Sequence, residues 1–218
     1  MGFFENLFTL STLFSAIIFV ISISLHEYAH AWMANRLWDP TPRLQGRLTP
    51  DPRVHIDPIG FLLIFLIGFG RGRAVQYNPN YLKNPLRDEL KIALAWPAMN
   101  ILLSSGAIIL LIIYRLITGD TQDLANTFWM QFAFMNIALA VFNMIPMPPL
   151  DGYRLVKVFA PRFVSSIEQY GQYIIRWFVL IFIRGPWSGL LHSYIVGVSS
   201  WIFSILYMVF SVPVQLFL

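Results

Sequence analysis

The chain contains no cysteine, which excludes disulfides, thiolate metal ligands and cysteine nucleophiles. Charge is scarce too: 12% of the 218 residues are Asp, Glu, Lys or Arg, about half the share in soluble domains. A soluble globule of this length has too much surface to cover with so few charges. No Lys or Arg precedes Arg36, while Glu5 is acidic. The first 25 residues therefore lack the basic start of a cleaved leader and read as a span. No internal repeat or low-complexity segment breaks the chain into parts. What is abundant is apolar: 57% hydrophobic residues, 16% aromatic, and seven Trp. Trp and Tyr favour membrane–water interfaces, so the lipid bilayer is the expected surrounding, and nucleic acid is not an expected partner.

Four apolar runs, at 7–35, 92–117, 124–148 and 190–217, are long enough to cross a hydrocarbon core of about 30 Å at about 1.5 Å per residue. Residues 59–70 are too short to span and read as re-entrant or buried, and 173–183 are marginal. Alternating glycines at 68, 70 and 72 suit a bent hairpin near the membrane surface. The expected fold is an all-α membrane protein, a polytopic helical bundle of about 4–6 segments with a short re-entrant β-like element, in one domain over residues 1–218. Nine of the fifteen Lys and Arg fall between Arg36 and Lys91, and three more between Arg154 and Arg162. The 118–123 connection holds Asp120 and Asp123 and no basic residue. The positive-inside rule then puts 36–91 and 151–170 on the cytoplasmic side of the cell membrane and 118–123 outside. Glu5, Asp39, Asp88, Glu89 and Glu168 read as solvated acids.

Chemistry concentrates at His26-Glu27-Tyr28-Ala29-His30. Residues four apart share a helix face, so His26 and His30 can hold one ion. Imidazole suits Zn²⁺, and a Glu beside the first His can serve as a general base. Three ionisable residues within five positions of a membrane span mark a functional site by default. Two imidazoles are too few for catalytic zinc, which takes three protein ligands. The candidates for the third are His55, Asp57, Asp151 and His192. Asp151 follows the run Asn143-Met144-Ile145-Pro146-Met147-Pro148-Pro149-Leu150, whose prolines must break a helix, and Gly152 beside it permits tight backbone geometry.

The HExxH of 26–30 and the later N-x-x-P-x-x-x-L-D-G, matched by Asn143, Pro146, Leu150, Asp151 and Gly152, together resemble the site-2 protease family of intramembrane zinc metalloproteases. Gly46-Arg47-Leu48-Thr49-Pro50, His55-Ile56-Asp57-Pro58-Ile59-Gly60, Asn78-Pro79 and Asn84-Pro85-Leu86-Arg87-Asp88 resemble segments of small bacterial members. Pro97-Ala98-Met99-Asn100 resembles a G-P-x-x-N element with Trp96 in place of its Gly. Trp38 likewise stands where a Gly before Asp39-Pro40 is usual. The resemblance covers roughly residues 15–160.

The resemblance implies one Zn²⁺ per chain, held by His26, His30 and Asp151, with Glu27 as acid/base and Asn143 as a polar helper that can also be a helix-packing residue. It implies a catalytic core at about 7–160 followed by C-terminal helices at about 170–217. Its substrates would be transmembrane segments of other proteins, cut near the cytoplasmic face. A re-entrant β-element including Gly70, Arg71 and Ala74 would present an edge strand to the unwound substrate. With no room for a regulatory domain, control would fall to substrate shedding, a regulatory membrane partner or membrane context. An inactive client-binding relative and a metal transporter are the competing classes. Intact HExxH and LDG motifs weigh against the first, and the lack of a polar path through the other spans against the second.

Overall fold

The chain winds into helices that follow its apolar runs. The computed structural model describes residues 9–67, 72–148, 150–168, 170–171, 173–174, 185 and 188–216. Helix α1 is Leu10–Arg36, capped at its start by the Thr9 hydroxyl, which accepts from the Thr12 N–H. Three short helices follow: α2 (Thr41–Leu44), α3 (Pro52–His55) and α4 (Pro58–Ile67). Residues 72–78 carry no regular structure, and a single 3₁₀ turn lies at Pro79–Tyr81. Helix α5 runs from Pro85 to Thr118 and ends on Gly119 at φ +68°, a left-handed C-cap suited to glycine. Helix α6 is Leu124–Asn143, with Asp123 as N-cap. Then come α7 (Gly152–Phe159), α8 (Pro161–Glu168) and α9 (Ser188–Leu216).

Helices α1, α5, α6 and α9 are long and apolar enough to cross a membrane; the protein is a multi-pass membrane protein. The helix starts at Pro85, earlier than the apolar run at 92, because Pro at the first helical position is pre-set for a helix and needs no N–H partner there. The third run stops at Asn143, short of 148, where the prolines begin. Helix α5 packs on both α1 and α6, and α9 leans on α6. Ile18, Ala107, Ile108, Ile112, Phe132 and Ala133 form the buried centre of this bundle, with Phe203, Leu206, Tyr207, Phe210 and Val214 of α9 against it. Leu13, Ile17, Leu102, Ile113, Trp201 and Met208 stay exposed, as a lipid-facing belt should.

The expected β-like element is corrected. Among the described residues there is no strand, only an isolated antiparallel bridge between Ile56 and Gly72. Pro58–Ile67 is helical; its apolar run is continuous, without the period-two alternation of a half-buried strand. Asp57 caps it, accepting from the Ile59 N–H at 3.2 Å. Gly70 and Arg71 lie outside the described residues, as does most of 173–183. Three acids expected in solvent are buried: Asp39, Asp88 and Glu89. Asp39 accepts from the backbone N–H groups of Thr41 and Asn78 at 2.9 and 2.7 Å, tying the end of α1 to the 72–78 segment. Asp88 accepts from the Asn84 N–H and from Lys91.

Candidate metal centre

His26 and His30 lie one turn apart on the buried face of α1. Their rings meet edge to face with centroids 5.2 Å apart. The His30 Nδ1 donates to the Ile92 carbonyl of α5 at 3.0 Å, which leaves Nε2 for the centre. This is the backing that metal-bound imidazoles characteristically have. On its other side, Trp96, fully buried, stacks on the His26 ring at 4.8 Å and 28°. The Trp in place of the expected glycine thus packs directly on a ligand candidate.

Asp151 arrives from the other end of the sequence. The chain leaves α6 at Asn143, turns through the prolines and restarts at Gly152. A Cβ on Gly152 would sit 2.4 Å from the Met144 carbonyl oxygen and 2.5 Å from that of Ile145. Glycine is required there because the returning backbone touches the turn it has just left. The turn sets the Asp151 Oδ2 at 3.4 Å from both the His26 and His30 Nε2 atoms. All three ligand atoms lie within 4.8 Å of one another. Two ligands about 2.1 Å from a tetrahedral ion are about 3.4 Å apart, so the donor set and its spacing fit zinc. Burial pushes the Asp151 carboxyl up, but the two imidazoles outweigh it and hold the group well below the usual carboxylate range.

Glu27 is buried beside this group. Its Oε2 accepts from the Val75 N–H at 2.8 Å. Gly72 passes just over the same carboxylate: a Cβ there would come within 2.6 Å of Ile23 and 3.3 Å of the Glu27 Oε1. The 72–78 segment is therefore a strap laid across the centre. Arg47, also buried, holds it from behind by donating to the carbonyls of Val54 and Arg73. The Arg73 N–H adds a bond to the His55 carbonyl at 2.7 Å. A cavity of about 970 Å³ opens over these residues, lined by Glu27, both histidines, Asp151, Ala74, Asn143 and Arg154 among others.

The other candidates fall elsewhere. His55 is fully buried and its Nε2 faces the Thr49 carbonyl at 2.6 Å. Burial pushes its imidazole down. It belongs to no metal-competent group among the described residues, and neither does Asp57. His192 is exposed on α9. Asn143 lines the cavity, and its Nδ2 donates one hydrogen to the Leu139 carbonyl of its own helix at 3.2 Å. Ala74 is exposed at the cavity wall. Val75, Gly72, Arg47 and Trp96 were not singled out as site residues in the sequence. The only local signals were glycine at 72 and the unusual Trp at 96; a backbone N–H leaves no trace in a sequence.

The comparisons with known proteins decide the lineage. The model of peptidase family M50 matches residues 112–184. "Putative zinc metalloprotease YwhC" of Bacillus subtilis (strain 168) is 34% identical over 166 residues, covering 71% of this chain and 74% of the relative. The chain belongs to peptidase family M50, the site-2 protease family. Two further M50 relatives carry the same designation. Rip2 of Mycobacterium tuberculosis (strain ATCC 25618 / H37Rv) is 28% identical over 85% of this chain and 71% of the relative. MJ0611 of Methanocaldococcus jannaschii is 30% identical over 66% of this chain and 73% of the relative. No solved structure matches the chain.

Proposed function

We propose that this M50 member is an intramembrane zinc metalloendopeptidase that hydrolyses peptide bonds in or near transmembrane segments of other membrane proteins. The observation that carries the reading is the convergence of His26, His30 and Asp151 to within 4.8 Å, with Glu27 buried beside them on the wall of one cavity. His26, His30 and Asp151 would hold the ion, with Glu27 as the acid/base, and zinc bound there would supply Lewis-acid polarisation and a more acidic water.

The chain's own residues do the rest. The Val75 N–H holds the Glu27 Oε2, so Oε1 is the oxygen left to take the water proton and hand it to the leaving nitrogen. The water oxygen first adds to the carbonyl carbon, and the carbon–nitrogen bond then breaks as the nitrogen takes the proton from Glu27, leaving a carboxylate and an amine. The His30 Nδ1–H to Ile92 bond keeps that imidazole's tautomer and orientation fixed. One Asn143 Nδ2 hydrogen goes to the Leu139 carbonyl, and the amide's second N–H is the donor it can offer to the substrate carbonyl. Substrate is held in an unwound stretch by the cavity and its strap, because a helix hides its carbonyls from attack. The basic residues of 36–91 and 151–170 support a centre towards the cytoplasmic side of the cell membrane. The domain is single, with its catalytic core at about 7–160.

The test is cleavage of a tagged single-span substrate by purified enzyme in liposomes. Glu27→Gln is expected to retain zinc and lose cleavage by about 10³-fold or more, since it removes the base and no ligand. Cleavage near the wild-type rate would end the assignment of Glu27. Zinc transport into the liposomes with no cleavage would favour the transporter reading.

A further inference from the structure

Arg154 sits on the first turn of α7, three residues after Asp151, and its side chain is half-buried on the cavity wall. Its Nε lies 3.4 Å from the Asp151 Oδ1. The other oxygen, Oδ2, faces the two imidazoles. The carboxylate is thus divided: one oxygen for the ion, one for the guanidinium. The same guanidinium covers the Tyr77 ring with its carbon 5.0 Å from the centroid. Tyr77 ends the strap whose Val75 N–H binds Glu27. The Arg154 Nη1 is buried and has no hydrogen-bond partner among the described residues.

We propose that Arg154 is a positioning residue that fixes Asp151 as a one-oxygen ligand and couples the metal centre to the strap through Tyr77. The inference rests on the assignment of Asp151 as a zinc ligand. A planar, delocalised guanidinium suits both tasks: its Nε stands at ion-pair distance from the carboxylate while its carbon lies over the ring. A lysine could offer a charge to Oδ1 but, as a point charge, could not reach over Tyr77 at the same time. Without Arg154, Asp151 is free to swing and present both oxygens, and Tyr77 loses its support. Groups that orient a metal ligand in this way commonly matter by about 10–100-fold in affinity or rate.

The experiment uses the full chain in detergent, with zinc affinity measured by chelator competition and kcat and KM on a transmembrane peptide. Arg154→Gln is expected to weaken zinc about 10–100-fold and to lower kcat when zinc is saturating. Arg154→Lys is expected to recover zinc affinity but not kcat, because it restores the charge beside Asp151 and not the contact with Tyr77. Added guanidinium ion is expected to raise kcat of Arg154→Ala, a rescue that a fold defect would not show. Asp151→Asn serves as the reference. If it loses zinc while Arg154→Gln keeps wild-type zinc affinity and kcat, the positioning role is wrong and the metal site stands. If Asp151→Asn keeps both zinc and activity, the underlying ligand assignment falls.

Discussion

Trp38 lies one residue beyond the C-cap of α1 with φ +78°, the one non-glycine residue at positive φ among those described. Helices commonly end on glycine at this position because the left-handed region crowds a Cβ. Its ring is exposed and covered only by Lys83 at 5.1 Å. Strain of this kind costs about 1–3 kcal/mol, and the exposed cation–π contact returns about 0.5–1. Trp38→Gly is therefore expected to stabilise the protein by about 1 kcal/mol, seen as a melting temperature about 2–4 °C higher in detergent. An unchanged or lower value would show that the indole contributes more than the strain costs. The sequence marked this residue as a departure from the family pattern, and the backbone angle supplies the reason. The ligand candidates were equally visible, because helical spacing puts His26 and His30 on one face. The burial of Asp39 was not visible. Its partner is the backbone N–H of Asn78, distant in sequence and present in every non-proline residue.

Helices longer than about twenty residues announced themselves by apolar length, and prolines marked where they begin or break. Pro85 opens α5, and Pro146 and Pro148 lie in the turn that brings Asp151 back to α1. The short amphipathic α7 and α8 were hidden in a stretch read only as basic. The 72–78 strap is the element where the expectation failed. Glycine spacing suggested a strand, but among its N–H groups that of Arg73 goes to the His55 carbonyl at the end of α3, and those of Val75 and Asn78 go to the buried carboxylates of Glu27 and Asp39, not to a ladder. A hydrogen bond to a charged group is worth about 1.5–3 kcal/mol, roughly a tenfold or larger effect on rate if Glu27 loses its orientation. Val75→Pro removes that N–H and is expected to cut cleavage at least about tenfold with zinc retained, while Val75→Ala stays within about threefold. Equal activity of the two variants would mean that the strap merely covers the centre.

Across the whole molecule, the site exists only because the bundle closes. Its proposed ligands come from α1 and from the turn before α7, more than a hundred residues apart, and α5 packs against them, supplying Trp96 and the Ile92 carbonyl. Local signals identified the ligand types, whereas packing of α5 on α1 and the Gly152 contact with the Met144–Ile145 turn set their distance. The central claim is that this assembly holds a single zinc ion through His26, His30 and Asp151. The most direct measurement is the zinc content of purified full-length protein, quantified against protein concentration after exhaustive removal of loose metal. About one zinc per chain is expected for the wild type, for Glu27→Gln and for His55→Ala, and a small fraction of that for His26→Ala, His30→Ala and Asp151→Ala, each of which removes one of three ligands. A fully loaded Asp151→Ala together with a metal-free His55→Ala would contradict the account.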